Sequence, residues 1–192
     1  MSAAALILAG GKSRRFGRDK TLLTLGGATL VERAVGHVRP LFDEILVAGS
    51  AKKFHIPGTR AIPDLYPDAG PLGGIHSGLV HAERDALFVL ACDMPNFDAA
   101  LCERLLARSA GCDVFIPCAG EELEPLFGVY RKSALPAVER LLLAGRYRVR
   151  DLFPLVKTGF LPLEASAGEA SPFFNINYAE DYEALMRAFK KD

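Results

Sequence analysis

Short apolar runs alternate with amphipathic stretches along the whole chain, the pattern that parallel strands joined by crossover helices impose on a sequence. Residues 4–8, 44–48, 86–91, 113–117, 125–130 and 159–162 read as strands. Several are unbroken apolar runs, as strands covered on both faces must be, and an α/β sheet follows. Thr29 reads as the cap of a helix with Leu30, Ala34, Val35 and Val38 on one face, and Asp98 as the cap of another carrying Leu101, Leu105 and Leu106. A third, apolar helix carries Ile75, Leu79 and Val80. A last one starts near Asn177, with Glu180 and Asp181 in its first turn and Lys190 and Lys191 at its end, an arrangement that complements the helix dipole.

Nothing interrupts this alternation: there is no repeat or low-complexity tract, and residues 164–171 form only a small polar excursion. The 192 residues are therefore expected to form one domain, 1–192. Lys plus Arg number 23 and so do Asp plus Glu, so no overall field draws the chain to nucleic acid or to an anionic membrane, and any anion site must be local. The longest strongly apolar run, residues 86–92, is far short of the ~20 residues that cross a bilayer. The apolar opening has its cations after it, at Lys12, Arg14 and Arg15, which is unlike a signal peptide. Cys92, Cys102, Cys112 and Cys118 match neither a redox pair nor a zinc pattern and read as reduced core filler in a cytoplasmic protein. His37, His55, His76 and His81 show no ligand spacing, and His76 and His81 are expected on a helix surface.

In such folds ligands gather at the carboxyl ends of the strands, which directs attention to the loops after Leu8, Ile62 and Ala91. The first runs Leu8-Ala9-Gly10-Gly11-Lys12-Ser13-Arg14-Arg15-Phe16-Gly17-Arg18-Asp19-Lys20 and sets five cations against one carboxylate between Lys12 and Lys20. Glycines let backbone amides approach phosphate oxygens, and the cations neutralise charge, so the loop suits a triphosphate; a solvated basic turn has the same composition. It is not a P-loop, because the glycine required five positions before Gly11 is Leu6. The second, Cys92-Asp93-Met94-Pro95, brings a carboxylate out of a buried run; it suits Mg²⁺ held by one Asp and substrate phosphates, or simply caps a turn. The third, residues 63–74, is rich in Gly and Pro and offers Asp64 as an acceptor for a base or ribose, or is a plain connection. Further on, Arg146, Arg148 and Arg150 alternate, and Phe173-Phe174-Asn175-Ile176-Asn177 precedes the last helix. Those arginines bind a second phosphate-bearing substrate or are merely exposed, with Arg146 the better case for exposure, and the asparagines orient metal and phosphate or cap the helix.

Taken in order, these segments resemble the molybdenum cofactor guanylyltransferases, the MobA family within the wider nucleotidyltransferases. The family's opening signature L-A-G-G-x-S-x-R-M-G-x-D-K is met by Leu8, Ala9, Gly10, Gly11, Ser13, Arg15, Gly17, Asp19 and Lys20, with Phe16 in place of Met. Its G-P-L-x-G-I is met at Gly70 to Ile75, its C-D-x-P at Cys92 to Pro95, its E/Q-P-L at Glu124 to Leu126, and its N-x-N at Asn175 to Asn177. The resemblance implies a single-domain, three-layer Rossmann-like nucleotidyltransferase fold with a mostly parallel mixed sheet flanked by helices. It implies transfer of GMP from GTP to Mo-molybdopterin with release of pyrophosphate, and Mg²⁺ as cofactor. It assigns nucleotide binding to Leu8, Ala9, Gly10, Lys20, Asp64 and Asp93 and the metal to Asp93; taken with the residues themselves, Gly11 joins the nucleotide set, Arg15, Lys20 and Asp93 are expected to be catalytic, and Arg148, Asn175 and Asn177 to take the second substrate. An Asn that touches the nucleotide in some members is replaced by Ala48, followed by Gly49 and Ser50. The expected partners are the two substrates and, transiently, cofactor-biosynthesis proteins or acceptor enzymes, with the protein itself a monomer and neither nucleic acid nor membrane involved.

Two other readings stand beside this one. A sister nucleotidyltransferase, acting with CTP on the same pterin or on a sugar phosphate, would keep the fold and mechanism, since base choice does not follow from spacing. A non-catalytic nucleotide-binding module would use the basic loop and leave Asp93 idle.

Overall fold

The computed structural model describes residues 3–10, 22–49, 55–164 and 171–189. Among them, β1 (Ala3–Ala9), β4 (Ile45–Gly49), β5 (Arg60–Ile62), β6 (Ala86–Ala91), β7 (Val114–Ala119), β9 (Phe127–Arg131) and β10 (Thr158–Pro162) form a sheet in the order β5-β4-β1-β6-β9-β7-β10, with β8 (Glu122–Leu123) paired to β7. A separate hairpin joins β2 (Thr24–Leu25) to β3 (Ala28–Thr29). The helices are α1 (Leu30–Val38), α2 (Gly70–His81), α3 (Ala99–Arg108), α4 (Leu135–Leu143) and α5 (Ala179–Phe189). Strand β1 is parallel to β4 and β6, β4 to β5, and β7 to β10, while β9 runs antiparallel to β6 and β7. The sheet is thus mixed and mostly parallel, as expected.

Period-two alternation explains the layers. In β1, Ala3, Ala5, Ile7 and Ala9 face one core, shared with Val31, Val35 and Val38 of α1 and Leu101 and Leu105 of α3. Ala4, Leu6 and Leu8 face the opposite core, shared with Leu72, Ile75 and Leu79 of α2 and Val138, Leu141 and Leu142 of α4. Both faces of the strand are apolar because both are covered, and each such Leu, Ile or Val contributes roughly 1.5–3 kcal/mol by leaving water. A smaller third core gathers Leu23, Leu25, Leu30, Ile176 and Leu185, joining the hairpin to α5.

The caps are as read from the sequence. Thr29 accepts from the Glu32 amide at 3.2 Å while the Glu32 carboxylate accepts from the Thr29 amide at 2.8 Å, a full capping box. The Asp98 carboxylate accepts from the Leu101 amide at 2.9 Å. Asp181 accepts from the amides of Asn177 and Tyr178, so α5 begins at Ala179, two residues beyond its expected start. Strand β9 begins at Phe127 rather than 125, because the Tyr130 hydroxyl donates to the Pro125 carbonyl at 2.7 Å and the Phe127 amide to Glu124, closing a turn.

One expectation for α2 fails: His76, expected on the helix surface, is buried. Helix α2 lies between the sheet and α4, so the face that would be solvated in an open helix is covered, and His76 Nε2 lies 3.4 Å from Glu139 of α4. Cys92 and Cys102 are buried, as core filler should be, but Cys112 and Cys118 are only half-buried; all four are free thiols. No helix among the described residues is long and apolar enough to cross a membrane.

Candidate active site

Four parallel strands end in one row. Leu8 of β1 is in register with Ala48 of β4 and Ala91 of β6, and Ala48 with Ile62 of β5, so the chain leaves the sheet at one edge after each. Strand order reverses at β1, with β4 and β5 on one side and β6 on the other, and this is the switch point at which a crevice opens in open α/β sheets. Gly10, Gly49, Asp64 and Asp93 all lie just past that row. The strand exits into the three loops singled out from the sequence therefore converge.

Each loop is held by specific bonds. The Cys92 amide donates to the Leu8 carbonyl at 3.2 Å, which fixes the step into Asp93 against the end of β1. The Ile176 amide donates to the Asp93 carbonyl at 3.0 Å, and the Asn96 carboxamide donates to the Ser171 carbonyl at 3.0 Å. These two bonds tie residues 171–176 to the Asp93 loop, bringing together segments more than seventy residues apart. Ile176 is fully buried in the third core. Asn175 and Asn177, on either side of it, instead line a pocket of about 290 Å³ with Glu122, Glu124, Ser171, Phe173 and Phe174. The N-x-N spacing is thereby explained.

Burial pushes the Glu124 carboxyl above the usual carboxylate range, and the neighbouring Glu122 charge adds to the effect while Arg150 opposes it. On the far side of the Glu124-Pro125-Leu126 turn lies a second, more apolar pocket of about 380 Å³, where Arg148 and Arg150 stand with Pro71, Pro125 and Tyr147. Arg148 is thus not in the same pocket as the two asparagines with which it was grouped. Arg146 pairs with Asp151 at 3.1 Å on the surface, in keeping with the bland reading.

Asp64 follows β5 and reaches solvent, yet the protein beside it withdraws enough water to raise its carboxyl above the ordinary aspartate value. Residue 65 is anchored to α2: its amide donates to the Ser77 hydroxyl at 3.0 Å, and Ser77 is fully buried. The next residue, Tyr66, sets its ring edge-on to His76 at 4.9 Å between centroids.

Gly49 was not singled out, though it shapes the site. Its φ is +128°, and a Cβ there would lie 2.6 Å from the Ala9 carbonyl oxygen and 2.9 Å from the Gly10 nitrogen. Only glycine lets the β4 exit pass so close to the β1 exit. Ala48 keeps its methyl in the core, against α2. Ser77 was missed as well; its only sequence signal is a lone hydroxyl in an apolar helix. Gly11, Arg15, Lys20 and Ser50 lie outside the described residues.

Asp93 directly follows β6 at this edge, and its carboxylate is the hard oxygen donor that could hold Mg²⁺. Magnesium accepts such a site, because it takes one or two carboxylates and completes its shell with substrate phosphate oxygens and water.

Residues 5–157 match the model of the MobA-like NTP transferase domain. A probable molybdenum cofactor guanylyltransferase of Pelotomaculum thermopropionicum is 37% identical over 94% of this chain and 90% of its own length. The molybdenum cofactor guanylyltransferase of Desulfosudis oleivorans is 31% identical over 98% and 96%. Among solved structures, molybdopterin-guanine dinucleotide biosynthesis protein A of Archaeoglobus fulgidus superposes with a TM-score of 0.81 at 25% identity, covering 98% of this chain and all of that one. A 2-C-methyl-D-erythritol 4-phosphate cytidylyltransferase of Thermus thermophilus, at 17% identity and a TM-score of 0.73, shares the fold. Matched over most of its length by both the family model and these relatives, the chain belongs to the MobA-like NTP transferase family.

Proposed function

We propose that this protein is a molybdenum cofactor guanylyltransferase, transferring GMP from GTP to Mo-molybdopterin and releasing pyrophosphate. The observation that carries the reading is the convergence of the exits of β1, β5 and β6 with residues 175–177 at one sheet edge, in a chain whose curated relatives bear that name. The pterin's terminal phosphate oxygen attacks the α-phosphorus of GTP. One P–O bond forms, the bond from the α-phosphorus to the bridging oxygen breaks, and its electron pair leaves on pyrophosphate. The nucleophile is already an anion, so the protein needs no general base, and its work is alignment and charge neutralisation.

In this reading the backbone of Leu8, Ala9, Gly10 and Gly11 receives the nucleotide, and Asp64 accepts a hydrogen bond from the nucleoside. Arg15 and Lys20 offset the charge that gathers on departing pyrophosphate. Asn175, Asn177 and Arg148 orient the second substrate from the two pockets that flank Pro125. Asp93 would hold Mg²⁺, which when bound would supply positive charge to offset that of the phosphates. The enzyme works as a cytoplasmic monomer and meets cofactor-biosynthesis or acceptor proteins transiently.

The test is incorporation of α-labelled GTP or CTP into molybdopterin with Mg²⁺, run in parallel with Asp93→Ala. Label from GTP alone, lost in a variant that keeps its fold by circular dichroism, is expected. Label from CTP would make it the sister cytidylyltransferase, and wild-type turnover by Asp93→Ala would remove the aspartate from the site.

A further inference from the structure

We infer that Ser77 is a positioning residue for the nucleotide, acting through the backbone of the loop that carries Asp64. The inference rests on the proposed contact between Asp64 and the nucleoside. A serine inside a helix ordinarily turns to water or bonds the carbonyl one turn back, and a fully buried one requires a partner. Ser77 has one from outside its helix: its hydroxyl accepts the Leu65 amide at 3.0 Å, across twelve residues of sequence. That amide belongs to the residue directly after Asp64, so the bond fixes the backbone on which the Asp64 carboxylate stands.

The bond sits in a close approach between loop and helix. At Gly73, one turn before Ser77, a Cβ would lie 3.0 Å from the Tyr66 carbonyl oxygen, so the loop backbone passes directly over α2. The Ala69 amide donates to that same Tyr66 carbonyl at 3.3 Å and closes the loop on itself. His76 meets the Tyr66 ring edge-on at 4.9 Å between centroids, a second contact between loop and helix. Helix α2 is in turn rigidly seated: Cβ atoms at Gly74 and Gly78 would lie 2.6 Å from Leu8 and Leu6 of β1. A single hydroxyl thus refers the position of Asp64 to the strand that delivers Gly10.

The experiment compares Ser77→Ala, Asp64→Ala and the double variant in steady-state transfer, varying GTP and the pterin separately. Ser77→Ala is expected to raise the GTP KM about tenfold, the scale of leaving a buried donor unpaired, with kcat and the pterin KM unchanged. In the Asp64→Ala background the same change is expected to add little, because its effect passes through Asp64. A second arm replaces the Leu65 amide by an ester, which deletes the donor while leaving every side chain in place, and is expected to reproduce the rise in GTP KM even where Ser77→Ala folds poorly. If Asp64→Ala raises the GTP KM while Ser77→Ala and the ester do not, or if their effects add in full, the role of Ser77 is overturned and that of Asp64 stands. If Asp64→Ala leaves the GTP KM unchanged, the nucleoside contact falls, and the inference falls with it.

Discussion

At Gly49 the backbone takes a conformation that L-residues rarely adopt, in a place where a methyl group would meet main chain rather than a flexible side chain. Backbone cannot swing aside as a leucine tip can, so Gly49→Ala combines dihedral strain with a steric conflict at Ala9 and Gly10. The expected loss is at least about 2 kcal/mol in urea unfolding, with GTP transfer reduced further because the displaced strand exit carries Gly10. Asp64 supports a prediction in pH. Desolvation raises its carboxyl above the ordinary aspartate value, so the folded chain holds this proton more tightly than the unfolded one, and ionising it costs stability as pH rises through the folded value. The proposed nucleoside contact has the opposite demand, since the ionised carboxylate is the stronger acceptor. As pH falls, the GTP KM of the wild type should therefore climb at a higher pH than an ordinary aspartate would set, and the Asp64→Asn profile should lack that component.

Helix α2 shows how far an element is determined by its neighbours. Gly78 faces Leu6 and Leu87, both fully buried, at distances of 2.6 and 2.8 Å from a built Cβ. Gly78→Val adds volume against two buried leucine tips that must repack to admit it, with an expected loss of about 1–3 kcal/mol, read as a lowered melting temperature. Such packing was only half legible in the sequence. The strands 86–91 and 4–8 announced themselves as apolar runs, and Thr29 and Asp98 as caps, because those signals are local. His76 was misplaced because its burial depends on α4, sixty residues away, which the periodicity of α2 cannot register. The hairpin of β2 and β3 and the short β8 went unread because two-residue strands show no period, although Gly26 and Gly27, both with positive φ, were an available sign of a tight turn. At the candidate site, the sequence held Asp64, Asp93 and the asparagines by motif, but not Ser77, whose meaning arises only when Leu65 folds over it.

Across the whole molecule, the third core links the hairpin after the basic loop to the last helix, and between them it grips Ile176. Leu185→Ala should weaken that grip by about 2 kcal/mol and speed amide exchange at Ile176 roughly 30-fold, while the amides of β1 and β6 stay protected. Equal acceleration across the central strands would show that the third core does not open by itself. The alternation through Asn175, Ile176 and Asn177 also makes this stretch of chain count in twos. Swapping a side chain there alters one contact, but inserting or deleting a single residue reverses parity, delivering an asparagine to the oily slot and an isoleucine to the pocket. Natural variation and engineering alike should therefore find this segment tolerant in letters and intolerant in length.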